Sequence, residues 1–193
     1  QHAGRARQNA PRRYLRIREA TTVRAGGSQA TLAPCAGFRA GYTFVNDNPI
    51  YDSFPKRILM DFDEHSFVAD VCGARSFGLQ CELQQAHTMN RCRGSSLANC
   101  VGLSEAGVLN VTGLRYPDEF VKHKLLDAIG DLYLMGSPIL GAFEGFKSGH
   151  ALNNQLVRTV LANPTAWEFV TQLDVATPVS EVARTQQIAA FAG

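Results

Sequence analysis

Residues 118–135 read Asp-Glu-Phe-Val-Lys-His-Lys-Leu-Leu-Asp-Ala-Ile-Gly-Asp-Leu-Tyr-Leu-Met. Pro117 precedes the run and Gly136 and Pro138 follow it, so a helix start and a helix stop bracket it. Asp118 and Glu119 suit the first turn, where the helix dipole favours negative charge. At about 100° per residue, with His123 at zero, Asp127 falls near 40°, Asp131 near 80° and Lys124 near 100°. Val121, Leu125, Ala128, Ile129 and Leu132 occupy the opposite side, between roughly 140° and 240°. One face is core, and the other gathers an imidazole, two carboxylates and an ammonium.

Working outward, Ile139 to Phe146 predicts a strand. Lys147-Ser148-Gly149-His150 then turns into a second helix through Leu152, Leu156, Val157, Val160 and Leu161, stopped by Asn163-Pro164. A last short helix is expected around Trp167. Upstream, Leu15 and Ile17 alternate with arginines, Gln29 to Ala33 is a short strand, and Phe38, Ala40, Tyr42 and Phe44 alternate along another. These predict an antiparallel β-meander closed by Asn46-Asp47-Asn48-Pro49. Lys56 to Phe62 is a further strand, Asp63 caps a short helix through Phe67 and Val71, and Glu82 to Asn90 is weakly helical. Strands come first and the two longer helices later, which makes the fold class α+β, with helices on one face of a mixed sheet.

The chain has 193 residues, 45% hydrophobic and 19% charged, enough for one generous domain with a buried core. A net charge of +2 gives no global field toward nucleic acid or an anionic membrane. No apolar run approaches the roughly 18 residues of a membrane span. Five cysteines without a C-x-x-C pair argue against a disulfide scaffold and fit a reducing cytoplasm. Four arginines fall within the first 13 residues, and the stretch before residue 13 reads as a linker or disordered arm.

His123 and Asp127, at i and i+4, can chelate one divalent ion; the same spacing also occurs in ordinary surface hydrogen bonds. Two donors fall short of the three a catalytic zinc takes, and no H-E-x-x-H occurs. His150, behind a glycine at a helix start, sits where developing negative charge could be met, or makes a structural hydrogen bond. Asp131 could hold its imidazole protonated and oriented.

The runs Asp118–Asp131 and Lys147–Asn154 closely resemble UDP-3-O-acyl-N-acetylglucosamine deacetylases of lipid A synthesis, and Ala74–Gly78 and Asn110–Tyr116 look like segments of that family in the same order. The likeness runs from about Arg12 to Thr171. It implies the second, C-terminal domain of a two-domain α/β sandwich, spanning residues 13–175, with a βαβ insert at about 76–104 and a tail at 176–193. It implies a zinc ion held by His123 and Asp127, with the third ligand and the general base in an N-terminal domain that precedes this stretch.

By position, His150 would stabilise the tetrahedral intermediate or protonate the leaving amine, and Asp131 would orient it. Ser76 stands for a threonine whose hydroxyl polarises the amide carbonyl. Lys124 would lie near the substrate diphosphate, and Lys147 is a further substrate contact. Phe77, Leu83, Cys92 and Leu97 would line an apolar passage for the acyl chain of the UDP-linked acylated glucosamine. The departures cluster in and around that insert. Asn46 replaces an aromatic, Gly102 a β-branched residue and Ser95 a glycine, while His87, Asn90, Arg91 and Arg93 add polarity. They raise an alternative in which the chain is a non-catalytic UDP-sugar or acyl-chain binding module.

Overall fold

The structure is a computed structural model that describes residues 9–63 and 65–171 together with positions 4 and 6. The 176–193 tail, and half of the 1–12 arm, lie outside the described residues.

The described residues form a seven-stranded mixed sheet and a separate three-stranded one. Strand β9 (Ile139–Phe146) is the hub of the large sheet. It runs parallel to β1 (Arg13–Ile17) and β4 (Phe38–Thr43) and antiparallel to β3 (Ser28–Ala33). Strand β2 (Thr21–Ala25) pairs with β3, and β5 (Arg57–Phe62) pairs with β4. The expected antiparallel meander is therefore corrected: β3 and β4, neighbours in sequence, pair with β9 and not with each other. Alternation along each strand identifies its faces but carries no information about which strand lies beside it.

The expectation of a helix around Trp167 is also corrected. Trp167–Thr171 is strand β10, antiparallel to β1 with Ile17 opposite Trp167 and Leu15 opposite Phe169. The run Trp-Glu-Phe-Val-Thr is rich in aromatic and β-branched residues, which suit a pleated surface, and an otherwise open strand edge was waiting for it.

Two helices cover one face. Helix α2 (Glu119–Leu132) continues as a 3-10 turn at Tyr133–Met135 and ends at Gly136 with φ +75°. Helix α3 spans His150–Ala162. The α2 residues Phe120, Val121, Leu125, Ala128, Ile129 and Leu132 are buried, and they join Leu152, Leu156, Val157 and Val160 of α3 over Leu32, Ala40, Tyr42 and Phe143 of the sheet. Each such aliphatic burial stabilises by about 1.5–3 kcal/mol. The predicted apolar side of α2 is the buried one.

The small sheet is the insert. Strand β6 (Ser76–Leu79) leads through helix α1 (Gln80–Thr88) to the parallel strand β7 (Cys100–Ser104), a βαβ unit, and β8 (Gly107–Val108) adds antiparallel to β7. Before it, Asp63 accepts hydrogen bonds from the backbone N–H groups of His65 and Ser66, just ahead of a single wide turn at Phe67–Val71 whose own N-cap position is Ser66.

Glu119 does more than face a helix dipole. It is fully buried. Its carboxylate accepts from Arg75 Nε (2.8 Å), Arg75 Nη2 (3.0 Å), the Arg75 backbone N–H (3.0 Å) and the Arg115 backbone N–H (2.6 Å). Arg75 Nη2 also donates to the Gly113 carbonyl at 2.8 Å. One carboxylate thus ties both ends of the insert to α2. Burial by itself pushes the Glu119 pKa up, but the Arg75 guanidinium and the two backbone donors outweigh it and hold the carboxyl below its usual range. A lowered carboxyl pKa contributes stability that is present above the unfolded value and is lost as pH falls through the folded one.

Glu119→Gln leaves Arg75 buried without its counter-charge and is expected to cost about 3–5 kcal/mol. Urea unfolding followed by circular dichroism measures the loss. The wild type should weaken as the medium is acidified through the carboxylate range, and the variant should lose that part of the dependence.

Candidate active site

The polar face of α2 carries the first group. His123 Nδ1–H donates to the Ala74 carbonyl oxygen at 3.2 Å, so in the neutral ring Nε2 presents a lone pair. That Nε2 lies 3.5 Å from Asp127 Oδ1. The other carboxylate oxygen, Oδ2, accepts from Lys124 Nζ at 2.7 Å. The Phe77 ring stands edge-on to the imidazole with centroids 5.8 Å apart, and Phe77 itself is fixed among Phe44, Tyr51 and Phe120.

The spacing of Nε2 and Oδ1 bears on both readings of this pair. In the neutral ring the Nδ1–H is directed at Ala74, and Nε2 and Oδ1 then face each other as two electron-pair donors. Ligand atoms bound to one tetrahedral zinc at roughly 2.0–2.1 Å stand about 3.3–3.4 Å apart. The observed 3.5 Å is longer than a good N–H···O bond and close to that ligand spacing. The imidazole–carboxylate pair, with its outer nitrogen held by a backbone carbonyl, fits a divalent ion such as zinc. Among the described residues no group of three His, Cys, Asp or Glu side chains converges.

One turn further along the same face, Asp131 receives His150 Nδ1–H at 2.9 and 3.0 Å and Asn153 Nδ2–H at 2.9 Å. Asp131 is largely shielded, while the His150 side chain is 69% exposed, which leaves its Nε2 facing outward. His150 begins α3 directly after Gly149, whose extended backbone ends the turn from β9.

That turn is held from three sides. Lys147 adopts a left-handed backbone with φ +49°, which costs a non-glycine residue on the order of 1–3 kcal/mol. The Lys147 N–H donates to the Thr43 carbonyl at 3.0 Å, and Ser28 Oγ donates to the Lys147 carbonyl at 2.9 Å. The Tyr42 hydroxyl, buried under the turn, donates to the Ser148 carbonyl. Gly145 makes room for this arrangement: a Cβ there would come 2.7 Å from Ser148 Oγ and 2.8 Å from the Tyr42 ring. Burial pushes the Tyr42 pKa up to about 12, partly opposed by its hydrogen bond to Ser148 and reinforced by the negative charge of Asp127.

The other predicted positions are more dispersed. Ser76 is exposed at the first residue of β6, two residues after the carbonyl that orients His123. Leu83 and Leu97 belong to the insert, where Leu83 approaches Gly78 and Leu97 lies 50% exposed over Gly102. Cys92 is exposed with φ +51°, and its carbonyl accepts from Ser95 Oγ and from the His87 ring. Among the described residues no hydrogen bond or ion pair joins Lys147 to either histidine; its Nζ is 4.0 Å from Asp47 Oδ2.

Four residues that support the site went unassigned in the sequence: Arg75, Asn110, Glu119 and Asn153. Each stands inside a run that carries the resemblance. Asn110 Oδ1 accepts from the Gly102 N–H, and its Nδ2 donates to the Leu97 and Cys100 carbonyls, bracing the insert loop. Tyr42 is a fifth, and its alternation in β4 reads as plain core.

Residues 1–162 match the family described as UDP-3-O-acyl N-acetylglycosamine deacetylase (LpxC). The chain belongs to that family. It is 44% identical over 178 residues to the UDP-3-O-acyl-N-acetylglucosamine deacetylase of Stenotrophomonas maltophilia strain K279a, covering 92% of this chain and 59% of that enzyme. The chain thus spans about three fifths of the length of the relative it matches. No helix among the described residues is long and apolar enough to cross a membrane.

The Tyr42 hydroxyl is testable directly. A raised phenol pKa contributes stability that is complete below the ordinary phenol range and lost as pH rises through the folded value. Tyr42 and Tyr51, both pushed up to about 12 chiefly by burial, should ionise late in an ultraviolet phenolate titration. Tyr42→Phe should remove half of that late component and cost about 1 kcal/mol through the unpaired Ser148 carbonyl.

Proposed function

We propose that this chain supplies half of the active site of a zinc-dependent deacetylase that removes the N-acetyl group from UDP-3-O-acyl-N-acetylglucosamine in lipid A biosynthesis, in the cytoplasm. The observation that carries the reading is the facing of His123 Nε2 and Asp127 Oδ1, 3.5 Å apart on one helix face, one turn from the Asp131–His150 pair. Family membership supplies the reaction class.

In this reading His123 and Asp127 hold the zinc, and the third ligand and the general base come from an N-terminal domain of the same enzyme. Bound zinc would supply an acidified water and a polarised amide carbonyl. Asp127 uses one oxygen as ligand while Lys124 neutralises the other, which limits the negative charge presented to an anionic diphosphate substrate. Asp131 fixes the His150 ring through Nδ1, so that Nε2 can carry a proton to the leaving amine or meet the developing oxyanion. The exposed Ser76 hydroxyl reaches the same carbonyl as a hydrogen-bond donor. Phe77, Leu83, Leu97 and Cys92 line the acyl-chain side, and Lys147 contributes a cation to the substrate.

The chain alone is expected to give no appreciable deacetylation. In the enzyme completed by its N-terminal domain, His123→Ala or Asp127→Ala should abolish zinc binding and turnover together. His150→Ala should retain zinc and lower kcat by about 100-fold or more. Zinc content by elemental analysis beside kcat tests both claims. Full turnover without His123, or zinc-replete wild type that leaves the N-acetyl sugar intact, would overturn the proposal. The second outcome would leave the binding-module alternative.

A further inference from the structure

The peptide unit between Ala74 and Arg75 is gripped on both of its polar edges by one helix. Its N–H donates to Glu119 Oε1 at 3.0 Å, and its carbonyl accepts from His123 Nδ1 at 3.2 Å. Glu119 and His123 are four residues apart on α2, so both project from the same side and bracket the peptide between adjacent turns. An ion pair with Arg75 needs only the Nε and Nη2 contacts, which Glu119 already makes at 2.8 and 3.0 Å. The further bond to the Arg75 N–H connects the carboxylate to the imidazole.

We propose that Glu119 is a positioning residue for His123: through the Ala74–Arg75 peptide it holds the imidazole as the Nδ1–H tautomer, with the Nε2 lone pair turned toward Asp127. This rests on the zinc reading for its functional meaning. A carboxylate accepting from the N–H end of a peptide strengthens the acceptor at the carbonyl end, because hydrogen bonds in a chain polarise one another. The opposite tautomer would set an Nδ1 lone pair against the Ala74 oxygen, two acceptors in contact. Phe77, edge-on at 5.8 Å, packs against the ring in this orientation. Glu119 therefore acts on the metal site without touching it. The outer partners of a metal-bound histidine set its tautomer and its strength as a ligand, and their removal typically weakens metal affinity about 10–100-fold.

The test uses the metal-free chain labelled with nitrogen-15, with the His123 tautomer read from long-range proton–nitrogen correlations of the neutral ring. Cobalt(II) is then titrated in and its contact with His123 followed by paramagnetic broadening. Because Glu119→Gln strands a buried guanidinium, the informative variants replace the pair. Arg75→Met/Glu119→Met removes both charges and every side-chain oxygen, while Arg75→Met/Glu119→Gln keeps an oxygen beside the Arg75 N–H.

Wild type should show a single Nδ1–H tautomer. The double-methionine chain should show a mixture of tautomers and about 10-fold weaker cobalt binding, with the glutamine version between them. A folded double-methionine chain with the wild-type tautomer and wild-type cobalt affinity would overturn the inference. If that chain does not fold, the glutamine version decides, an unchanged ring counting against the inference and a mixed one for it. Should wild type fail to bring cobalt to His123, the two donors do not hold the metal without the third ligand, while the tautomer comparison still decides the role of Glu119.

Discussion

Glu119 is a carboxylate with no exposed surface, and the small sheet, the long helix and the His123 ring all meet at it. Its four donors come from Arg75, just before β6, and from Arg115, beyond β8. The insert therefore leaves and rejoins the domain at a single charge. A buried carboxylate without partners would be neutralised or expelled; with a bidentate guanidinium and two backbone N–H groups it is held ionised. That arrangement fixes where the insert stands relative to α2, and with it the positions of Phe77, Ser76 and the Ala74 carbonyl beside His123.

The second constraint is strand β9. It pairs with β1, β3 and β4 and delivers the Lys147–Gly149 turn at its end. The turn carries a left-handed lysine, and the contacts from Thr43, Ser28 and Tyr42 compensate its strain. The outcome is a defined start for α3, with His150 reaching across to Asp131 on α2. The two histidines thus come from different elements, His150 oriented by Asp131 of α2 and His123 by the Ala74 carbonyl ahead of β6. The apolar face of that helix buries Val121, Leu125 and Leu132, so its polar face cannot rotate away.

Much of the site was legible because it lies on one helix. The 3.6-residue repeat alone put His123, Lys124, Asp127 and Asp131 on one side, and the pairing of Lys124 with Asp127 and of Asp131 with His150 agrees with it. The roles expected of Ser76, Leu83, Cys92, Leu97 and Lys147 came from resemblance. Their placement, from the exposed Cys92 turn to the Lys147–Asp47 approach, depends on chain segments far from α2. Arg75, Asn110 and Asn153 escaped notice because a polar side chain buried by tertiary contacts has the same local sequence as an exposed one.

What the sequence determined by itself is the set of elements with strong local periodicity: α2, α3 and the strands β1, β3, β4, β5 and β9 of the large sheet. Strand order was beyond it. Alternation is a property of one strand, whereas the insertion of β9 between β3 and β4 is a property of the packed sheet, and a free edge on β1 turned Trp167–Thr171 into a strand where a helix was expected. Only the tertiary structure could turn Glu119 from a helix-start acid into a buried clamp, because Arg75, the charge that makes its burial tolerable, lies 44 residues away in the chain.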